Sequence, residues 1–303
     1  MRSFSLDAMP QAAYKVLIVA ATMVWGVSFV FMKDVVSVIL PAWLLGIRFT
    51  CAGLVLLLIM RKRVRANFSR RMLAMGALMG VFEFVAFYLQ TCGLQYTTAG
   101  INAFLTAVYC VIVPFIWWLV ARRRPSVFNL GAAVIALAGV WLVSVSASEG
   151  GLSIGLGEAL TLASALGYAC SMVACAKFSR GSDVMALTVV QFLVEGVLGL
   201  ICGALTETAP TLDLFTPDII GQFAFLVLLA SVFSFGAQNL ALAHVQPAQA
   251  SLLLSLESVF GVVFSVLLTG EQITARLLVG FALIFAAILI SELFPLKRKQ
   301  PAE

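Results

Sequence analysis

Long apolar runs, each close to twenty residues, constrain the fold of this chain more than any other feature of its sequence. Of the 303 residues, 62% are hydrophobic and 11% are charged. A helix of about 20 apolar residues crosses the hydrocarbon core of a bilayer, whereas an open sheet in lipid would leave backbone groups unpaired. The sequence therefore predicts an all-α integral membrane protein. Ten transmembrane helices are expected, at residues 15–35, 41–60, 72–92, 99–121, 127–146, 157–177, 184–205, 219–241, 247–269 and 275–294.

An internal repeat divides the chain. The stretch Gln90–Pro114 resembles Gln238–Val262, which begins 148 residues later. In both copies an apolar helix ends at a short turn, and the next helix begins with small residues at helical spacing. A stripe of small side chains lets two helix backbones approach closely in lipid. The first stripe comprises Ala99, Ala103, Ala107 and Cys110, and the second comprises Ser251, Ser255 and Ser258.

The repeat extends toward the start of the chain, because Trp25 matches Tyr168 at an offset of 143 residues. Each half would hold five spans, an odd number, so the two halves would insert in opposite orientations. The sequence predicts two inverted-topology five-helix repeats, residues 1–146 and 147–303, which form one integrated transmembrane unit. Inverted repeats of this kind are typical of secondary transporters, whose binding site lies near the midplane.

Basic residues cluster in alternate loops. The loops at 61–71, 122–124, 177–180 and 297–299 carry most of the lysines and arginines, whereas the loops between them carry mainly acidic residues. An excess of lysine and arginine marks the cytoplasmic side of a membrane protein, so both termini are expected in the cytoplasm. The net charge of +5 is therefore interpreted as an orientation signal, and no nucleic-acid partner is expected.

Four ionisable residues lie well inside the predicted spans: Arg48, Glu83, Glu195 and Glu257. A charge at the bilayer centre costs about 2.5–3.5 kcal/mol on insertion scales, so each of them needs a partner, water or a proton. Glu83 and Glu257 share helix faces with polar or aromatic residues, which favours exposure to a cavity. Glu195 has mainly Val, Leu and Gly around it. For Arg48, a structural anchor or a salt bridge remains the alternative to a role in the pathway.

A substrate-binding cavity is expected between the two halves. Tyr109 and Glu257 occupy equivalent positions of the repeat, and so do Trp25 and Tyr168, each followed three residues later by a serine. Aromatic side chains that face a cavity could clamp the apolar part of a substrate, although packing aromatics are equally typical of apolar helices. The predicted substrate-binding residues are Trp25, Ser28, Glu83, Tyr109, Tyr168 and Glu257.

Glu257 and Glu83 are also predicted to couple transport to protons. Burial disfavours the charged form of a carboxyl group, so each would hold a proton in a closed cavity and release it when water enters. The predicted gate or pathway residues are Arg48, Gln90, Asn102, Gln238 and Asn239. For the polar line of Asn102, Thr106 and Tyr109, an interhelical hydrogen-bond face is the alternative to a cavity wall.

Several short motifs are distributed along nearly the whole chain: Trp25-Gly26-Val27-Ser28-Phe29, Pro41 seven residues before Arg48, Gly157-Glu158, Leu256-Glu257 and Gly270-Glu271. In order and spacing they resemble the EamA-type members of the drug/metabolite transporter superfamily. The resemblance implies ten helices in two inverted repeats, and export or exchange of small metabolites across a prokaryotic inner membrane. One departure is Ser258, at a place where the family often has proline.

The favoured function is a secondary transporter that exports or exchanges small metabolites, amino acids or related amphipathic compounds, by alternating access, with proton coupling left open. An uncoupled facilitator is the main alternative, since it needs no titrating carboxylate. A membrane-embedded enzyme would need converging nucleophile, base or metal ligands, and the chain has one histidine and no metal-ligand motif. No catalytic residue, metal or cofactor is expected. The expected partners are a small-molecule substrate and the lipid bilayer, with the protein a monomer or weak homo-dimer.

Overall fold

The computed structural model describes residues 10–122, 124–144, 154–178, 182–242 and 253–294, without the side chains of residues 239–242. The first half of the chain contains α1 Gln11–Val36, α2 Pro41–Asn67, α3 Arg70–Tyr96, α4 Ala99–Thr106, α5 Tyr109–Ala121 and α6 Val127–Ser144. The second half contains α7 Leu156–Phe178, α8 Val184–Thr206, α9 Pro217–Ala224, α10 Ser234–Leu242, α11 Leu256–Thr269 and α12 Ala275–Leu293. A short 3₁₀ turn, Leu212–Leu214, precedes α9.

Nine helical segments of the described residues are long and apolar enough to cross a membrane. Each overlaps one of the predicted spans, so the predicted all-α membrane fold is confirmed. The predicted span at 247–269 begins outside the described residues. Its described part contains α11, an apolar helix of 14 residues.

Local sequence determines where many of the helices begin. A hydroxyl or carboxylate side chain before the first turn can accept a hydrogen bond from a backbone N–H that has no partner within the helix. Such caps are Ser69 for α3, Thr98 for α4, Asp183 for α8, Thr216 for α9 and Thr274 for α12. Pro41 opens α2, as predicted, because the N–H that proline lacks would be unpaired at that position anyway.

The fourth predicted span is interrupted. Ala107 and Val108 form a turn between α4 and α5, where the Val108 N–H bonds to the Leu105 carbonyl at 3.3 Å. The sequence predicted a continuous helix over 99–121. The structure instead has its interruption before Pro114, which lies inside α5. Proline removes a single helical N–H, and here that loss does not end the helix.

A nine-residue π-helical stretch, Phe225–Phe233, joins α9 to α10 within one spanning segment. Its backbone hydrogen bonds join residues five apart in the sequence, which makes it wider than an α-helix. The indole Nε1 of Trp25 donates a hydrogen bond to the carbonyl of Ala230, within this stretch, at 2.7 Å. A uniformly apolar run gives no signal that separates a π-helix from an α-helix, so this feature was not predicted.

The helices pack in a small number of extensive pairs. α2 lies against α8, α3 against α7 and α8, α6 against α12, and α11 against both α1 and α4. Small residues allow the closest approaches: a Cβ added to Gly261 would lie 2.4 Å from the Cβ of Ala103. This α4–α11 seam follows the first stripe of small residues, and the predicted close approach there is confirmed.

Two pairs of closely spaced glycines, Gly76 with Gly80 and Gly199 with Gly203, also mark tight contacts. A Cβ on Gly76 would meet Val190 at 2.6 Å, and one on Gly80 would meet the Gln191 carbonyl at 2.7 Å. The second pair faces α2, where a Cβ on Gly199 would lie 2.5 Å from the Gly46 nitrogen and one on Gly203 would lie 3.0 Å from the Trp43 ring. The glycines therefore seat α8 between α2 and α3.

Candidate functional site

A cavity lies among the spanning helices, lined by side chains from both halves of the chain. It leaves about 90 Å³ for the centres of water molecules, and one water needs about 10–15 Å³ by this measure. The cavity therefore has room for several waters, or for one small organic molecule in their place.

The structure brings all six predicted substrate-binding residues to this cavity. Trp25, Ser28, Glu83, Tyr109, Tyr168 and Glu257 line its wall. Three of the predicted gate or pathway residues, Arg48, Gln90 and Gln238, line the same cavity. The side chain of Asn239 lies outside the described residues.

Asn102 is not part of the cavity wall. Its side-chain amide is fully buried and donates to the Thr161 hydroxyl at 2.8 Å and to the Gln90 carbonyl at 3.2 Å. Asn102 thus joins α4 to α7 and α3 as an interhelical hydrogen-bond residue, which was the alternative for the polar line on α4. The next two members of that line, Thr106 and Tyr109, do line the cavity.

A chain of three polar side chains crosses one wall of the cavity. The Tyr168 hydroxyl donates to Gln90 Oε1 at 2.7 Å, and Gln90 Nε2 donates to the Thr106 hydroxyl at 2.8 Å. The side chain of Gln90, one of the predicted gate or pathway residues, is buried within this network. Because three helices contribute one member each, the network fixes the relative positions of α3, α4 and α7 at the cavity.

Aromatic rings form another part of the wall. The Trp25 ring meets Phe235 edge-on with centroids 5.4 Å apart, and Phe87 meets Tyr168 edge-on at 5.2 Å. Such edge-to-face contacts are a preferred arrangement of aromatic pairs. The wall therefore offers flat apolar surfaces beside the polar network.

The three buried glutamates differ in their surroundings. Glu83 and Glu257 line the cavity, and the Ser171 side chain lies near that of Glu83. Glu195 is completely buried outside the cavity lining, and neither of its carboxyl oxygens has a hydrogen-bond partner among the described residues. The described ranges contain no cluster of three His, Cys, Asp or Glu residues that could hold a metal ion.

Arg48 is buried rather than extended toward the outer surface, with 1% of its area exposed. Its Nε donates to the Ser231 hydroxyl at 3.0 Å, and Nη1 contacts the Met32 sulfur at 3.2 Å. The guanidinium carbon lies 4.8 Å from the centre of the Phe49 ring and 5.2 Å from that of Phe87. The cavity thus has a cation in its wall.

Sequence reasoning missed several apolar residues of the wall. They are Phe29, Met32, Met172, Phe235 and Leu254. Apolar residues in a span give the same signal whether they face lipid, another helix or a cavity. Phe29 and Met32 could nevertheless have been predicted, because they follow Trp25 at helical spacing and so lie on the same face of the helix.

These spans and their internal cavity define a multi-pass membrane protein. The chain belongs to the EamA-like transporter family, whose family model matches residues 13–145 and 155–293. It is accordingly a membrane transporter.

Relatives and a solved structure agree with this family. The chain is 26% identical to a probable amino-acid metabolite efflux pump of Salmonella typhimurium (strain LT2), over 91% of this chain and 93% of that protein. It is 25% identical to the uncharacterized transporter YvbV of Bacillus subtilis (strain 168), over 92% of each. A solved structure described only as "Crystal structure of protein" shares the fold with a TM-score of 0.66 at 16% identity, over 95% of this chain and 99% of that one.

Proposed function

We propose that the chain is a secondary transporter that exports or exchanges small metabolites, amino acids or related amphipathic compounds, by proton-coupled alternating access in a prokaryotic inner membrane. The observation that carries the proposal is a cavity to which equivalent positions of both halves contribute. Trp25 and Tyr168 are one such pair, and Tyr109 and Glu257 are another. A site formed by two similar halves suits a mechanism in which one half rocks against the other.

The helix pairs support two inverted repeats, residues 1–146 and 147–303, each with five spans. The family model matches one segment in each half. If each helix is replaced by its counterpart in the other half, the α3–α7 pair becomes the α10–α1 pair. The α1–α11 pair likewise becomes the contacts of α7 with α4 and α5. All of these pairs are in contact. The α2–α8 and α6–α12 pairs join equivalent helices, as helices beside a twofold axis do.

The interrupted helices support the same relation. Ala107, in the turn before α5, corresponds to Ser255, in the turn before α11, at the offset of 148 residues. Broken helices around a central site are typical of transporters built from inverted repeats. Gln90 and Gln238 correspond at the same offset, and both line the cavity. We assign these two glutamines to the pathway through the protein.

Hydrogen bonds around the α3–α4 turn support a conformation closed on the predicted outer side. The Lys33 ammonium donates to three carbonyls within residues 94–97, at 2.6–3.2 Å. Glu158 of α7 accepts from the Thr97 hydroxyl at 2.7 Å. The Glu271 carboxylate accepts from the first turn of α4 at 3.1 Å. Residues from both halves of the chain thus bond to the α3–α4 turn.

On the predicted cytoplasmic side, the described residues have looser contacts, and residues 179–181 and 243–252 of that side lie outside the described part of the chain. Lys177, the counterpart of Lys33 in the second half, is exposed. The ion pair between Arg63 and Asp183 spans 3.9 Å, and more than half of the Arg63 side chain is exposed. Exposed pairs of this kind contribute little stability. We propose that both termini lie on this side, in the cytoplasm.

Glu257 and Glu83 are the proposed proton-coupling residues. Both line the cavity. Water that enters the open cavity therefore reaches their carboxyl groups, whereas in a closed cavity they are shielded from bulk water. A carboxyl group that alternates between these surroundings binds a proton in one state and releases it in the other. Proton and substrate then compete for one site, which is what an exchanger requires.

Transport into proteoliposomes tests this function. The purified chain is reconstituted and supplied with a panel of amino acids and cationic amphipathic compounds, with and without an imposed proton gradient. We expect saturable uptake of at least one panel member, accelerated by the gradient. Uptake that ignores the gradient would favour an uncoupled facilitator, and no uptake of any compound above that of empty liposomes would contradict the proposed transport of these compounds.

A further inference from the structure

The cavity contains a buried cation whose charge is not matched by a contacting carboxylate. Arg48 lies in α2 and lines the cavity with nearly its whole side chain buried. Burying a charge at this depth is costly unless it gains a partner. The role of Arg48 therefore depends on what its guanidinium contacts.

The partners of Arg48 within the protein are weak. The guanidinium has five N–H donors, and two of its nitrogens, Nε and Nη1, reach the Ser231 hydroxyl and the Met32 thioether. A thioether is a weak acceptor, and neither of these groups carries a charge. The faces of Phe49 and Phe87 add cation–π contacts, which tolerate a second partner in the plane of the guanidinium.

No carboxylate of the described residues forms an ion pair with Arg48. Arg63–Asp183 is the single ion pair within 4.0 Å in the described ranges. Glu195 lies close enough to interact electrostatically with Arg48, yet both of its oxygens lack hydrogen-bond partners. If Arg48 were only a structural anchor, a direct bond to this carboxyl group would satisfy both residues. The guanidinium is held at the cavity instead.

We propose that Arg48 binds an anionic group of the transported molecule, and that this group is a carboxylate. A planar guanidinium matches a carboxylate with two parallel hydrogen bonds. The apolar part of the molecule then lies against the rings of Trp25 and Phe87, and an ammonium group, where present, faces Glu83 or Glu257. This inference rests on the proposed transport function and specifies what the cavity selects.

Matched pairs of ligands test the inference on the intact protein. Phenylalanine and phenylalaninamide share their ring and ammonium group and differ only at the carboxyl group, and alanine and alaninamide form a smaller pair. Binding to purified protein is followed by tryptophan emission and by competition for uptake in proteoliposomes. We expect each acid to bind about 100-fold more tightly than its amide, or better, because a site built to bond a group rejects the analogue that lacks it.

Two variants show whether Arg48 provides the discrimination. Arg48→Gln should bind the acid and the amide with similar affinities, through loss of affinity for the acid alone. Ser231→Ala, which removes the Nε acceptor and keeps the guanidinium, should retain the preference for the acid. If Arg48→Gln fails to fold, Arg48→Lys, which keeps the charge but cannot form two parallel hydrogen bonds, should show a reduced preference for the acid, and equal binding of acid and amide by the unaltered protein would still overturn the inference.

The outcomes separate this inference from the proposed function. Equal binding of acid and amide by the unaltered protein would overturn the role of Arg48 while leaving the transporter intact. An undiminished preference for the acid in Arg48→Gln would assign the carboxylate to another residue and also overturn it. Failure of all four compounds to bind would contradict both the inference and the proposed amino-acid substrates.

Discussion

The α4–α11 seam allows a quantitative test, because one added methyl group changes it. Gly261→Ala would place a Cβ 2.4 Å from the Cβ of Ala103, well inside contact distance. Overpacking of this kind typically costs about 1–3 kcal/mol. Gly131→Ala is the matched control: this glycine lies in an exposed part of α6, and a Cβ there meets no atom within 4 Å.

Comparing the two alanine variants isolates the steric cost. Replacing a helical glycine by alanine gains about 0.5–1 kcal/mol wherever there is room, and this gain is shared by both variants. We therefore expect Gly261→Ala to be less stable than Gly131→Ala by the overpacking cost alone, about 1–3 kcal/mol. The measurement is the free energy of unfolding in mixed micelles titrated with a denaturing detergent.

A compensating change makes this prediction stricter. Adding Ala103→Gly to Gly261→Ala removes the methyl group that clashes, so stability should return toward that of the unaltered chain. Equal stability of Gly261→Ala and Gly131→Ala, or no recovery in the double variant, would refute the close packing of α4 on α11.

Three further predictions concern orientation, the cavity wall and the outer closure. In a cysteine-free background, a cysteine at Thr211 should react with an impermeant reagent on intact cells and one at Asn67 should not; the reverse pattern would invert the topology. Trp25→Ala should weaken substrate binding and abolish any ligand-induced change in tryptophan emission, while unaltered binding would make Trp25 a packing residue. Glu271→Gln should lower the free energy of unfolding by about 1 kcal/mol, because a charged acceptor at the start of α4 is lost; unchanged stability would contradict that capping role.

Much of the fold could be predicted because lipid leaves few alternatives. Apolar runs of sufficient length become helices, and closely spaced glycines such as Gly199 and Gly203 bring those helices together. The π-helical stretch and the exact interruption before Tyr109 could not be predicted. The π-helical stretch accepts a bond from the Trp25 indole at the Ala230 carbonyl, and a tertiary contact of this kind leaves no periodic trace in the sequence.

The candidate site was predictable through its polar residues and the repeat. An ionisable or hydrogen-bonding residue inside an apolar span needs a partner or a cavity, which is why Glu83, Glu257 and Tyr109 stood out. The same argument could not separate Asn102, which bonds to neighbouring helices, from its cavity-lining neighbours. It also left Arg48 between a structural anchor and a role in the pathway, since the sequence does not reveal the Ser231 hydroxyl on a distant segment.

The most direct test of proton-coupled exchange is transport by Glu257→Gln. Glutamine keeps the size of the side chain and mimics the protonated carboxyl group, but it cannot release a proton. In proteoliposomes, this variant should lose transport driven by a proton gradient and keep exchange of labelled for unlabelled substrate. Glu83→Gln should show a weaker form of the same loss. Normal gradient-driven transport by Glu257→Gln, with an unchanged dependence on pH, would contradict the account and leave an uncoupled facilitator in its place.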